Sequence, residues 1–428
     1  MKSLRLDRHN DMAGWTGVML IDPRRVESLL AVTFFICTAS VVCAAIAQTL
    51  PPPQSKQTME SSSEAVVESL ERALSEGKAE KAHDLLIQIL KRPHLGSDLL
   101  LRVGIQFAER ELYGEAAEAF QRCVQEHPKV FEAYYNLALA DVAQEKWTES
   151  LATLKDAPQR SKAEVLACSY LRGKIEDAQG RTVEAQHDLS TAFVGAPQNQ
   201  TYGLELGLFY IRQHAYAPAT RVFERAARFN PRSSFLLLGL SLARFLAGQQ
   251  RQTVEDLKKL LAVEPDFSPA QLLMAFALFM DGKLEDAEKF TSQALNSPNP
   301  SPYLYYLDAS ILVKLQSRQY DRIFQELQIA LRAIPSCGLC YLTESKAHQT
   351  QGNVAAAIVD LETAVQLEPD FPDAWYRLAV LYRSVGRSTD ASRAEDHFKE
   401  LKADKEERET QMLRENFLQT LSASKPAH

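Results

Sequence analysis

The residues best placed for chemistry in this sequence are a cysteine pair, Cys337-Gly338-Leu339-Cys340. A Cys-x-x-Cys at a helix entrance can hold a thiolate or close a disulfide in an oxidising compartment. No second pair completes a zinc site, and the surroundings of a thioredoxin fold are missing. A disulfide between Cys337 and Cys340 is therefore expected ahead of redox catalysis. The nine histidines are scattered, without a His-Glu-x-x-His, and His83, His187, His214, His348 and His397 fall in helix or turn patterns as solvated or half-buried side chains. No phosphate-cradling Gly-x4-Gly-Lys-Ser/Thr, no Gly-x-Ser-x-Gly elbow and no dinucleotide fingerprint occurs. Acidic groups such as Glu285, Asp286 and Glu288 read as the outer face of a helix. Neither a catalytic set, a metal site nor a cofactor is expected.

What remains is binding, and composition bounds it. At 428 residues, 46% hydrophobic and 24% charged, the chain is long enough for several cores and too ordinary for wholesale disorder. A net charge of −7 with no local basic patch disfavours nucleic acid as a partner. Residues 29–47 form an uncharged apolar run behind Arg24-Arg25 that closes on Ala45-Ile46-Ala47, the pattern of a signal peptide cleaved after Ala47. An uncleaved signal anchor is the alternative, and the positive-inside rule places everything downstream outside the cytoplasm in both cases. The repeats are thus expected to be periplasmic, secreted or membrane-anchored, with membrane contact only through this segment. Met12 or Met19 would give the signal a more ordinary start. Neither a twin-arginine nor a lipoprotein signal fits, because Val26-Glu27-Ser28 follows the arginines and Val42 precedes Cys43. Residues 48–62, with Pro51-Pro52-Pro53 and a polar stretch, read as a linker.

From there the chain repeats. Leu70 and the small residues Gly104, Ala138, Gly173, Gly207, Ser241, Ala275, Ala309, Ser345 and Ala379 follow one another at steps of 34, 34, 35, 34, 34, 34, 34, 36 and 34. A second set lies about twelve residues on: Ala82, Ala116, Ser150, Ala185, Ala219, Thr253, Ala287, Ile323, Ala357 and Ala391. Seven residues later again stand Ile89, Cys123, Ala157, Ala192, Ala226, Leu260, Ala294, Ala330, Ala364 and Phe398, two helical turns away on the same helix face. Gly77, Gly180, Gly248, Gly282, Gly352 and Gly386 mark a turn inside each pair of helices, where a positive φ is easiest for glycine. Pro128, Pro197, Pro231, Pro265, Pro335 and Pro369 mark the exits, because proline cannot continue the hydrogen-bond ladder.

This pattern resembles the tetratricopeptide repeat (TPR), whose 34-residue consensus runs Trp-x2-Leu-Gly-x2-Tyr and then Ala, Phe, Ala and Pro. Trp375-Tyr376-Arg377-Leu378-Ala379-Val380-Leu381-Tyr382 follows its first helix nearly residue for residue. Leu206, Gly207, Tyr210, Ala219, Phe223, Ala226 and Pro231 carry the whole motif, and Gly104, Phe107, Ala116, Phe120 and Pro128 carry most of it. Leu70, Thr253, Ile323 and Phe398 depart from it. Pentatricopeptide repeats have a similar length, but the exit prolines and acidic balance disfavour them. The resemblance implies an all-α, right-handed superhelical solenoid of about ten antiparallel helix pairs, near residues 63–96, 97–130, 131–165, 166–199, 200–233, 234–267, 268–301, 302–337, 338–371 and 372–408. One such pair cannot offset its own ordering entropy, so neighbours must stack and the ends must be sealed. Residues 399–421, with Leu401, Met412, Leu413, Phe417, Leu418 and Leu421 at helical spacings, are expected to form a C-terminal cap, and residues 409–428 the cap and tail.

The resemblance also places a partner-binding groove along the first helices, at about the second, fifth, ninth and twelfth positions of each repeat. Here these are Leu204, Leu208, Ile211, Phe235, Leu238, Leu242, Phe245, Leu272, Phe276, Phe279, Tyr303 and Tyr306, a nearly continuous apolar stripe. Toward the ends the same positions turn polar, as at Glu132, Lys174, Asp177, Lys346, Gln349 and Arg383, and read as a solvated rim. The lysine–asparagine clamp by which some family members bind chaperone C-termini is not found. With the repeats consuming residues 63–408, no room remains for a separate catalytic domain. The expectation is a non-enzymatic exported scaffold that binds an unidentified protein or peptide in the groove and supports assembly of a complex. Alternatives are a carrier of a lipid or other hydrophobic ligand, a thiol-redox accessory protein using Cys337 and Cys340, and use of the stripe as a homodimer contact. A tight superhelix that buries the stripe as core is equally compatible with the pattern.

Overall fold

The computed structural model describes residues 60–402, and among these the regular structure is helical without a strand. The expected export segment, most of the linker and the cap beyond residue 402 lie outside the described residues. The described chain divides into two compact units, residues 60–247 and 248–402. The first holds α1 (Glu60–Ser75), α2 (Ala79–Leu90), α3 (Ser97–Ala108), α4 (Tyr113–Glu126), α5 (Phe131–Ala143), α6 (Trp147–Asp156), α7 (Lys162–Ala178), α8 (Thr182–Gly195), α9 (Gln200–Arg212), α10 (Tyr216–Phe229) and α11 (Ser234–Leu246). The second holds α12 (Gln250–Val263), α13 (Ser268–Met280), α14 (Leu284–Ala294), α15 (Pro302–Lys314), α16 (Tyr320–Ala333), α17 (Gly338–Thr350), α18 (Val354–Leu367) and α19 (Pro372–Ser384). Residues 388–402 are also helical.

Helix α1 already opens at Glu60, so residues 60–62 belong to it and not to the linker. Helix α7 opens four residues ahead of the expected repeat start at 166. Ser161 accepts a hydrogen bond from the Glu164 amide while the Glu164 carboxylate accepts from the Ser161 amide, a capping box that lengthens the helix backward. The boundary between the two units falls in the turn of the sixth repeat, between α11 and α12.

The amphipathic period explains why each second helix docks. In α10, Ala219, Val222, Phe223 and Ala226 are buried while Arg221, Arg225 and Arg228 face solvent. The second set of spaced residues behaves alike: Ala82, Ala116, Ser150, Ala185, Ala219, Thr253, Ala287, Ile323 and Ala357 are all fully buried. Their smallness sets the helix separation. A β-carbon on Gly104 would overlap the Phe120 ring, and one on Gly207 or Gly239 would overlap the Phe223 ring from either side. Two of the serines that stand in place of alanine or glycine donate across the pair, Ser150 to the Ala138 carbonyl at 2.8 Å and Ser345 to the Ala357 carbonyl at 2.9 Å, while Ser241 donates to the Leu237 carbonyl of its own helix. Within a unit first helices pack on their own second helices, and successive first helices also pack on one another, α1 on α3, α3 on α5, α5 on α7 and α9 on α11, then α13 on α15 and α15 on α17.

Ten turns close the ten pairs, each with one residue in the left-handed region. Six are the glycines, at φ of 69° to 81°, and the other four are Glu111 (62°), Glu145 (59°), His214 (54°) and Gln316 (53°) at the same place in their repeats. A residue with a β-carbon is held there at a cost of about 1 kcal/mol. Replacing Glu111, Glu145, His214 or Gln316 with glycine is therefore expected to stabilise its unit by up to about 1 kcal/mol each, read as a higher midpoint in chemical denaturation. Phe223→Ala, which empties the slot between Gly207 and Gly239, is expected to cost about 3–5 kcal/mol in the same measurement.

Candidate functional site

Since first helices pack on first helices, their inward residues form one face within each unit, and the apolar stripe falls on it. The structure assigns seven stripe residues to α9 and α11 of the first unit and five to α13 and α15 of the second. Four are half-buried, namely Leu204, Leu208, Phe235 and Tyr303. The other eight, Ile211, Leu238, Leu242, Phe245, Leu272, Phe276, Phe279 and Tyr306, are buried, with Leu272 and Phe276 at 0% and 1% exposure. Helix α13 is buried continuously from Ala270 to Phe279, the behaviour of a helix that is apolar all round. An aspartate at Leu238 or Phe276 would therefore unfold the unit before it reported on binding.

Upstream, the same face carries an aromatic row. Tyr135 on α5, Tyr170 on α7 and Tyr202 on α9 stand near one another, with the Tyr170 and Tyr202 ring centroids 5.0 Å apart and Phe131 stacked on Tyr135 at 5.7 Å. Burial pushes all three hydroxyls up from the usual tyrosine value, so they stay neutral. Tyr135 and Tyr170 occupy the fifth position of their repeats, so extending the groove rule by two repeats would have found them. Beside them the polar positions pair off: Arg212 reaches Asp177 at 2.6 Å and Glu205 at 3.2 Å, and Lys174 lies 3.7 Å from Glu205. These charges bridge α7 and α9, and each is neutralised by its neighbours.

Cys337 and Cys340 are joined by a disulfide at the start of α17. The Cys337 sulfur also accepts the Cys340 amide at 3.1 Å, and the Glu368 carboxylate accepts the Gly338 amide at 3.0 Å. Cys123 and Cys168 are buried free thiols, pushed up to about 11 chiefly by burial, which leaves them unreactive at neutral pH.

The most polar interior lies in the second unit. Arg322 of α16 bonds Glu326 at 2.8 Å, Glu288 of α14 at 3.0 Å and the fully buried Asp308 of α15, while Ser292 accepts from the guanidinium at 2.7 Å and Thr291 donates to Asp308. Three carboxylates thus surround one cation. Burial, then a hydrogen bond to Asp308 and its charge, raises the Glu326 carboxyl, against which Arg322 works only in part. The buried Glu326 Oε2 has no donor, so it gains a bond to Asp308 only by carrying a proton itself. The cluster ties three helices together. Among the described residues no group of histidine, cysteine, aspartate and glutamate could hold a metal ion. No described helix is long and apolar enough to cross a membrane, and residues 29–47 lie outside those searched.

Comparison with known proteins agrees with this architecture. A tetratricopeptide repeat family model matches residues 104–164 and a TPR repeat model matches residues 347–386. DnaJ homolog subfamily C member 3 from Mus musculus is 28% identical over 199 residues, which cover 43% of this chain and 39% of that protein. The Homo sapiens protein of that name is 26% identical over the same shares. The chain spans about two fifths of the length of these curated relatives. Among solved structures, a tetratricopeptide repeat protein from Parabacteroides merdae is similar at a TM-score of 0.43 and 18% identity, covering 59% of this chain and 98% of that one. The human IFIT1 dimer with PPP-AAAA is similar at a TM-score of 0.40 and 20% identity, covering 62% and 67%.

The buried carboxylate cluster has a measurable signature. The Glu326 carboxyl in the folded unit binds its proton more tightly than in the unfolded chain, so its contribution to stability is greatest at low pH. That contribution falls as pH rises above the ordinary value of 4.5 and is lost once pH passes the raised folded value. The facing groups are Asp308, Glu288 and Arg322. Glu326→Gln is expected to flatten this pH dependence and to raise the denaturation midpoint above neutral pH, measured by urea titration across a pH series.

Proposed function

We propose that this chain, a tetratricopeptide-repeat protein, is a non-enzymatic exported scaffold that holds a protein or peptide segment along the inner face of its first helices and supports the assembly of a complex. The observation that carries this reading is the alignment of first helices within each unit, which presents half-buried Leu204, Leu208 and Phe235 with the Tyr135–Tyr170–Tyr202 row on one face of the first unit and half-buried Tyr303 on a first helix of the second. A row of rigid aromatic and aliphatic side chains suits an extended or helical segment, since it offers contact area at low ordering cost. The paired charges beside it supply a polar rim. Export rests on the apolar run 29–47 behind Arg24-Arg25 and draws support from the Cys337–Cys340 disulfide, which persists in oxidising compartments.

The carrier reading draws on a different observation, the burial of eight stripe positions, which a lipid chain would exploit if the face could close around it. Photo-crosslinking separates the two. With the probe at Leu208 or Tyr303 of the full chain in its own host, the scaffold reading expects one recurrent protein adduct, weakened about tenfold by Leu208→Asp. Lipid adducts would replace this reading with the carrier, and self-adducts would assign the face to a homodimer. Thiol titration without reductant is expected to find two reactive sulfhydryls after denaturation in the chain from residue 48 onward, those of Cys123 and Cys168. Four would remove the disulfide and its support for export.

A further inference from the structure

The second unit carries a reversal of charge that the scaffold reading does not use. Across the whole sequence acids outnumber bases, 55 to 48, and several cations in this unit find a carboxylate: Lys283 lies 2.6 Å from Asp281, Arg383 2.7 Å from Glu395 and Arg387 2.7 Å from Asp390. Lys314 of α15, Lys346 of α17 and Arg377 of α19 do not. They stand on three successive first helices, and among the described residues none forms an ion pair. Lys314 instead places its ammonium 4.7 Å from the centroid of the Phe279 ring, at the end of the apolar stripe. Lys346 and Arg377 are half-buried. A cation withdrawn from water without a partner costs stability, and two more cations beside it add to that cost.

We infer that the inner face formed by Lys314, Lys346 and Arg377 docks an acidic peptide segment of the partner, whose aspartate and glutamate carboxylates supply the counter-charges that this chain withholds. The inference rests on the scaffold reading and adds the chemistry of its partner. The three cations sit on separate helices, so they suit carboxylates spread along a segment better than a single compact anion. The Phe279 ring, over which the Lys314 ammonium sits, adjoins the same face. The electrostatics agree with the geometry: burial, Arg377 and Lys314 together hold the Lys346 ammonium down at about 8, and Asp373 offsets them only in part. Burial likewise lowers Arg377, with Asp373 again opposing, and burial lowers Lys314. A bound carboxylate relieves this strain, so docking near pH 8 takes up protons.

The test uses the full chain and a fluorescein-labelled peptide of alternating aspartate and glutamate, about ten residues long to span three helices at 8–10 Å spacing, with an asparagine–glutamine peptide of equal length as control. The acidic peptide is expected to bind and the amide peptide not. Raising salt to about 0.5 M should weaken binding severalfold, and Lys346→Gln with Arg377→Gln should weaken it about tenfold or more. The same double variant is expected to melt no lower than the parent, since it removes unpaired cations, whereas a lowered melting point would mark these residues as structural and overturn the inference. No binding of the acidic peptide, binding indifferent to the double variant, or stronger binding of single-stranded DNA through the same residues would also overturn it. Failure here with a protein still captured at Leu208 or Tyr303 would leave the scaffold reading intact, while loss of both would remove it.

Discussion

How closely two helices can approach governs everything else in this chain. Gly104, Gly207 and Gly239 leave no room for a β-carbon because the rings of Phe120 and Phe223 fill that space, and the alanines of the second helices are buried to the last atom for the same reason. With the separation fixed, the connecting turn has one geometry, and its left-handed residue recurs in all ten repeats whether or not glycine is present. A solenoid built in this way has no central core. Its stability is a sum of neighbouring contacts, and any residue that alters the local spacing is felt mainly by the helices beside it.

The same economy explains where charge is buried. Arg172 on α7 meets Asp188 on α8 at 2.6 Å, one residue before Gly173 and three after Ala185. The equivalent positions in the eighth repeat hold Asp308 and Glu326, now bridged by Arg322, and in the ninth they hold Glu344 and Asp360, with His348 2.7 Å from Asp360 and its ring tilted over Phe324. Three repeats have thus placed polar groups at both of these positions, where the second, fifth, seventh and tenth place apolar ones. Such pairs contribute little net stability but penalise every arrangement that leaves one partner alone, so they favour a single register between helices of identical length and spacing. Lys314, Lys346 and Arg377 lie outside that scheme, since among the described residues none of them forms an ion pair and the Asp373 charge offsets Lys346 and Arg377 only in part.

Among the described residues, most groups that could carry charge or reactivity are quenched by their surroundings. Beside the tyrosine row the charges of α7 and α9 neutralise one another, the free thiols are buried and protonated, and the tyrosine hydroxyls are held neutral by burial. In the first unit a row of aromatic rings lies beside apolar side chains, and in the second Lys314, Lys346 and Arg377 form no ion pair among the described residues.

Much of this was legible in the residues alone, because a period of 34 is set by backbone geometry and local packing. The helix pairs, the turn glycines at 77, 180, 248, 282, 352 and 386, the buried alanines and the Cys337–Cys340 bond all follow from types and spacing. The turns at Glu111, Glu145, His214 and Gln316 were less visible, since their side chains do not advertise a positive φ. Which groove positions stay accessible was not legible either. Leu204 and Leu238 hold the same position in consecutive repeats, yet one is half-buried and the other buried, because burial depends on the helices stacked on either side and not on position within a repeat. The division at Gly248 and the meeting of Lys346 with Arg377 and Lys314 are of this kind. Local sequence determines each helix pair, while contacts between residues more than thirty positions apart decide which faces remain open and which charges are left without a partner.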